Sequence, residues 1–211
     1  MDQNIYDLYT LKGKAGSEVR EIPDAHPGEI AGMMVAVVSD THGNREGMLL
    51  LAERLRFLEV KTLLHLGDDY RDLAILADAG LEVLGVPGLY CPEYRNPEIP
   101  NRRLVELGGL KFLLTHTQTR TGYDGPGDPD PEMACYEVDA VLYGHTHAPL
   151  IEERQGIAWI NPGHLRHRTD RGHPPSFAVL HISPEELKVQ VHQLVDGSAI
   201  QKKVFRIPAQ R

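Results

Sequence analysis

The chain has 211 residues, 41% of them apolar, which is enough for one compact domain with a sizeable core and demands no second. A formal charge of −8 argues against a nonspecific nucleic-acid coat, since polyanion binding rests on many Lys and Arg contacts; a small phosphate substrate stays open wherever bound cations reverse the local charge. No stretch approaches the roughly 18 unbroken apolar residues of a membrane span, the N-terminus lacks the basic start and apolar middle of a signal peptide, and Cys91 and Cys135 cannot build a disulfide framework, so a cytoplasmic protein is expected.

Residues 1 to about 32 are polar and aperiodic, and read as an N-terminal extension, partly ordered, ahead of a single domain over 33–211. Met33 to Val38 is a continuous apolar run with three valines, suited to a strand buried on both faces, and it ends at Asp40. Asn44 can cap a helix whose Met48, Leu51, Ala52, Leu55 and Leu58 share one face. A second strand, Lys61 to Leu66, ends at Gly67-Asp68; a short helix from Arg71 to Ala79 stops at Gly80, and Leu81 to Val86 makes a third strand. This β-α-β-α-β series implies parallel strands with right-handed crossovers.

The second half changes character. Arg103 to Leu107 and Leu110 to Thr115 flank Gly108-Gly109, a hairpin signal. A loop rich in Gly, Asp and Pro, Thr119 to Pro131, reads as a solvated turn and leads to a short helix from Glu132. Val138 to Tyr143 is a strand, Leu150 to Glu153 and Ile157 to Ile160 form a hairpin about Gln155-Gly156, and Ser176 to Ile182 and Leu187 to Leu194 are strands. Parallel units followed by hairpins suggest two packed mixed sheets with helices outside.

Four motifs put metal-binding side chains where these strands end: Ser39-Asp40-Thr41-His42, Gly67-Asp68-Asp69, Thr115-His116 and Gly144-His145-Thr146-His147. In such sheets ligands bind beyond the carboxyl ends of the strands. Carboxylates mixed with imidazoles favour Mn, Fe or Zn over Ca or Mg. Two carboxylates and four imidazoles exceed what one structural zinc needs, and leave room for two ions sharing a bridging carboxylate, an arrangement that activates water and neutralises charge at phosphorus. Arginines can grip the remaining phosphate oxygens, which makes Arg166 and Arg168, in the cluster after Asn161-Pro162-Gly163, candidate substrate residues; an exposed polar loop is the alternative. Asn44 is a further candidate for substrate contact besides its capping role.

Asp40-x-His42, Gly67-Asp68, His116 and Gly144-His145-x-His147, in that order and followed by Asn161-Pro162-Gly163, resemble the calcineurin-like metallophosphoesterases over about Val35 to Leu194, in particular their small bacterial and archaeal phosphodiesterase branch. The resemblance implies an α/β fold, a four-layer αββα sandwich of two mixed sheets flanked by helices. It implies two divalent ions, usually Mn, with Fe, Zn or Ni as alternatives. The activity implied is hydrolysis of a small phosphate ester, with a phosphodiester favoured, by metal-activated water at a binuclear site. By the resemblance Asp40, His42 and His147 hold the first ion, Asp68 bridges, and His116 and His145 hold the second; these six would be the catalytic set.

The chain also departs from the pattern. Leu89 stands where the family has an asparagine ligand to the second ion, the histidine that often acts as general acid is absent, and Gln118 replaces a further histidine. Cys91 or Glu93 could substitute from a shifted loop, although Cys91 reads first as a small packed residue. His65 reads as a satisfied core histidine, and Asp69 either orients a metal-bound histidine or caps the Arg71 helix. These departures leave an alternative: a binding or scaffold protein with an impaired second metal site, like the non-catalytic member of this family in the retromer coat. No membrane or extended nucleic-acid partner is expected, and homo-oligomerisation stays open.

Overall fold

The computed structural model describes residues 20–21 and 32–207, so the expected N-terminal extension lies, apart from residues 20, 21 and 32, outside the described residues. In chain order the first half holds β1 (Arg20–Glu21), β2 (Met33–Val38), α1 (Arg45–Phe57), β3 (Thr62–His65), α2 (Asp72–Asp78) and β4 (Glu82–Gly85). There follow β5 (Arg102–Leu107), β6 (Leu110–Thr115), α3 (Pro131–Ala134), β7 (Ala140–Leu142), β8 (Leu150–Arg154), β9 (Ile157–Asn161), β10 (Ser176–Ser183), β11 (Glu186–Gln193) and β12 (Ala199–Arg206). They form two six-stranded mixed sheets, ordered β1-β5-β6-β7-β9-β8 and β12-β11-β10-β2-β3-β4.

The apolar run of β2 explains the layering. Val35 and Val37 point into the core between the sheets, with Leu64, Phe112, Leu114, Leu142, Ile160 and Leu180. Ala36 and Val38 point the other way, under Met48, Leu51 and Leu55 of α1. A strand buried on both faces has no polar side, which is why the run is unbroken. α1 starts where Asn44 Oδ1 accepts the Gly47 N–H at 2.9 Å and buries Met48, Leu51, Ala52 and Leu55 of the expected stripe, while Leu58, at the C-cap, is exposed. Truncating any of these leucines to Ala would cost about 2–5 kcal/mol.

The αββα expectation holds, with one thin layer. Over the outer face of the β5–β9 sheet the helical cover among the described residues is the four-residue α3 and the single turn Cys135–Glu137, packed on Leu113, Val141, Tyr143 and Trp159. α2 begins at Asp72 with no side-chain cap; Asp69 supplies its backbone carbonyl to the Asp72 N–H and not its carboxylate. β12 lies beyond the strands expected from the sequence pattern. It is an edge strand whose polar, largely uncovered sequence carries little apolar alternation.

Topology positions the site. β2, β3 and β4 run parallel, as do β6, β7 and β9, with Val38 in register with His65 and Leu142 with Ile160. Their carboxyl ends therefore share one rim. There the Asp40 N–H donates to Gly67 O at 2.9 Å and the Gly144 N–H to His116 O at 3.1 Å, extending each sheet by one step into the motif residues.

Candidate metal centre

The backbone of the site is bent out of ordinary conformations. Asp40, His42, Asp68, His145 and His147, five of the six ligand candidates, have positive φ, at 52°, 48°, 52°, 66° and 61°. Such left-handed non-glycine residues cost roughly 1–3 kcal/mol each and persist only where the surroundings hold them. Two glycines provide that fit. A Cβ on Gly144 would lie 1.8 Å from Ser39 Oγ and 2.8 Å from Asp40 Oδ2, and one on Gly88 would lie 2.5 Å from Asp68 Oδ1. The segment that carries Leu89 thus passes directly against Asp68.

These bends bring the six side chains together. Asp40, His42, Asp68 and His147 offer ligand atoms that all lie within 4.8 Å of one another. His147 Nε2 is 3.1 Å from Asp40 Oδ1 and 3.2 Å from His42 Nε2. The Asp68 carboxylate divides between two groups: Oδ2 is 3.1 Å from His42 Nε2 and Oδ1 is 3.6 Å from His116 Nε2. His145 Nδ1 completes the second group, 3.3 Å from His116 Nε2. His116 Nδ1 donates to Leu66 O at 2.8 Å, across the two sheets, which leaves Nε2 as the free lone pair facing Asp68.

The donor set fits a cation. Asp40 Oδ1 is buried without a hydrogen bond, in a side chain whose other oxygen accepts the His145 N–H at 2.9 Å. A buried carboxylate oxygen left without a donor is costly unless a positive charge faces it. Imidazole nitrogens and carboxylate oxygens converging on one volume are the ligands of transition-type divalent ions.

Electrostatics pull the groups in different directions. Burial works against ionising Asp40, but the facing imidazoles of His147, 3.1 Å away, and His116 outweigh it and hold the carboxyl below its ordinary value. Burial, with the Asp40 charge, pushes Asp68 up. Burial lowers His42 against the pull of Asp68, and lowers His145 with help from His116, so both imidazoles stay neutral. His147 is raised, first by the Asp40 carboxylate that it faces and, against burial, by its hydrogen bond to Asp170.

Residues 33–185 match the family model of the calcineurin-like phosphoesterase superfamily domain. The chain belongs to the calcineurin-like phosphoesterase superfamily. It is 29% identical over 165 residues to a probable metallophosphoesterase of Methanothermobacter thermautotrophicus, covering 75% of this chain and 91% of that one. It is 26% identical over 151 residues to a phosphodiesterase of Methanocaldococcus jannaschii, covering 62% and 83%. Its fold is similar to that of Vps29 from Entamoeba histolytica complexed with zinc, with a TM-score of 0.59, 24% identity and coverage of 82% and 99%.

Around this candidate metal cluster the substrate candidates divide. Asn44 is buried and uses both ends on the protein, capping α1 with Oδ1 and donating from Nδ2 to Leu165 O at 2.6 Å. Arg166 donates from Nη1 to Asp170 Oδ2 at 2.9 Å, while Arg168 is exposed. Gln118 is engaged elsewhere, its Oε1 accepting from Arg154 at 3.3 Å. Glu93 is buried beside Arg71, 3.4 Å from its Nε. Burial pushes the Cys91 thiol up and the Asp68 charge adds to it, against the backbone N–H groups around it.

Several residues at the site carried no sequence signal. Asp170 Oδ2 bonds His147 Nδ1. Arg171, with φ of 49°, donates from Nη1 to Thr146 O at 3.0 Å and lowers His145 by its charge. Asp72 Oδ2 accepts the Gly43 N–H at 3.0 Å, tying α2 to the first motif. His65, fully buried and held at about 4 by burial, accepts the Gly67 N–H on Nδ1 and bonds Thr41 Oγ1 through Nε2 at 3.1 Å. That agrees with its reading as a satisfied core histidine. The Asp124–Asp130 run is more than a solvated turn: Asp124 pairs with Arg102 at 3.0 Å with both side chains fully buried, Asp128 accepts from Asn101 at 2.9 Å, and Asp130 caps α3.

Proposed function

We propose that this chain is a metal-dependent hydrolase of phosphodiesters, acting at a two-ion site built from Asp40, His42, Asp68, His116, His145 and His147. The observation that carries the reading is the Asp68 carboxylate, one oxygen toward His42 and the other toward His116. Asp40, His42 and His147 would hold one ion, His116 and His145 the other, and Asp68 both. When bound, two divalent ions, Mn by the family resemblance with Fe, Zn or Ni as alternatives, would supply a water of lowered pKa and neutralise charge that builds on phosphorus.

The protein's own part is to fix the donors and receive the phosphate. Neutral His42 and His145 need lose no proton to serve as ligands. Arg171, bonded to Thr146 O between two ligand histidines, is the best placed arginine for a phosphate oxygen, with Arg166 and Arg168 behind it. Asp170 already offsets Arg166, so that guanidinium adds little toward a second phosphate charge, and a monoanionic diester is the proposed substrate class. The kinship with an archaeal phosphodiesterase supports the same choice.

A second reading has its own observation. Leu89, without a lone pair, follows the glycine that lies against Asp68, and the next residue, Tyr90, is 77% exposed, an arrangement suited to a surface that binds protein and no longer turns over. The two readings separate in one experiment: protein purified without added metal is loaded with Mn and assayed on an aryl phosphodiester and an aryl phosphomonoester. The enzyme reading expects metal-dependent turnover, faster on the diester. Bound metal with no hydrolysis of either substrate would favour the binding protein.

A further inference from the structure

We infer that Asp170 is a positioning residue of the metal centre, fixing the tautomer and direction of His147, and that Arg166 in turn holds Asp170. The inference rests on the reading of His147 as a ligand through Nε2.

The His147 ring is gripped at both nitrogens. Nε2 faces Asp40 Oδ1 at 3.1 Å and His42 Nε2 at 3.2 Å, whereas Nδ1 bonds Asp170 Oδ2. If Nε2 presents a lone pair to an ion, the ring proton must sit on Nδ1, and an ionised carboxylate is the strongest acceptor available to keep it there. The same bond makes Nε2 a better donor.

Asp170 is itself held on two sides. Its backbone exchanges hydrogen bonds with His173, N–H to O at 3.0 Å and O to N–H at 2.9 Å, closing a short antiparallel bridge. Its Oδ2 also receives Arg166 Nη1 at 2.9 Å. His164, fully buried with its ring centroid 5.3 Å from that of His147, fastens the start of this loop: Nδ1 accepts the Arg166 N–H at 3.1 Å and Nε2 donates to His173 O at 3.1 Å. The segment from His164 to His173 is thus a clasp closed around one ligand histidine. Arg166 serves the clasp before it can serve a substrate.

The test uses the full chain, stripped of metal and titrated with Zn²⁺ in competition with a chromophoric chelator, for wild type, Asp170→Ala, Arg166→Ala and His147→Ala. Asp170→Ala is expected to weaken the tighter ion by roughly 10–100-fold without changing the number of ions bound at saturation. Arg166→Ala is expected to lose less, about threefold to tenfold, because the carboxylate remains. In the Zn-loaded wild type, a slowly exchanging proton on His147 Nδ1 should appear in the imidazole nitrogen spectrum and vanish in Asp170→Ala, a signature that general loosening of the loop would not give. If Asp170→Ala fails to fold, Asp170→Asn replaces it, keeping the side-chain shape without the charge, with a loss at the lower end of that range. Wild-type affinity together with a persistent Nδ1 proton in the Asp170 variant would overturn the inference. Unchanged Zn²⁺ binding in His147→Ala would instead overturn the ligand reading on which it stands.

Discussion

The two halves of the candidate metal centre are built to different standards. Around Asp40, His42 and His147 the chain supplies four converging ligand atoms with Asp68, a buried carboxylate oxygen without a donor, and an outer carboxylate on His147. Around His116 and His145 it supplies the two imidazoles, one fixed by Leu66 O, and the shared Asp68, but Leu89 where the family places an amide. A metal site is as strong as its count of oriented donors and their outer partners. On the proposed two-ion reading, the comparison predicts that one ion is held tightly and the other loosely, with Asp68 shared between them.

The largest effect should come from the shared residue. Asp68→Asn removes a charge facing both halves and is expected to lower hydrolysis by roughly 10²–10³-fold or more, the equivalent of several kcal/mol of charge stabilisation. It should also lower bound metal more than Asp40→Asn does, as read by elemental analysis after dialysis. If Asp40→Asn abolished both while Asp68→Asn left them near wild type, the halves would not be joined through Asp68.

His65 lies beneath the junction of the first two motifs, bonded to Thr41 and Gly67, and its effect is on stability. Its folded pKa of about 4 lies below the ordinary 6.5, so the unfolded chain takes up the proton first as pH falls. The contribution is fully present above about 6.5 and is lost on the way down to 4, amounting to roughly 3 kcal/mol. Denaturant unfolding of metal-free protein at pH 7 and pH 4.5 should show His65→Gln losing about that much less than wild type. Equal losses would mean that His65 is not held neutral by the fold.

Leu89→Asn addresses the weak half. One added oxygen donor beside Asp68 is expected to tighten the second ion about tenfold, some 1.4 kcal/mol, without moving the first. A change in the first ion alone would place Leu89 in the wrong half. The smallest effects belong to the arginines. Arg171→Ala should raise KM about threefold to tenfold at unchanged metal content, with a smaller rise for exposed Arg168→Ala. Equal effects would remove the special place given to Arg171.

The parts of the centre differ in how readable they are from the amino-acid sequence. Asp40, Asp68, His116 and His145 each follow a buried apolar run, so strand periodicity alone locates them at one rim. Leu89 is readable as a departure only through the family resemblance, which sets an asparagine at that place. Asp170 is not, because its meeting with His147 depends on how a polar loop closes across 23 residues, and polar loops have no period to read. The Arg102–Asp124 pair is hidden in the same way: a Gly-Pro-Asp composition gives the turn but not which of its carboxylates turns inward. β12 escapes because a polar edge strand alternates too weakly.

The central claim, two unequal ions serving one hydrolytic site, is tested most directly by titrating metal-free protein with Mn²⁺ while following binding by calorimetry and hydrolysis of an aryl phosphodiester on the same sample. The account predicts a first equivalent bound tightly with little turnover, then a second, weaker equivalent whose occupancy tracks the rise in activity. Two ions bound with equal high affinity, or saturation with metal and no hydrolysis, would contradict it.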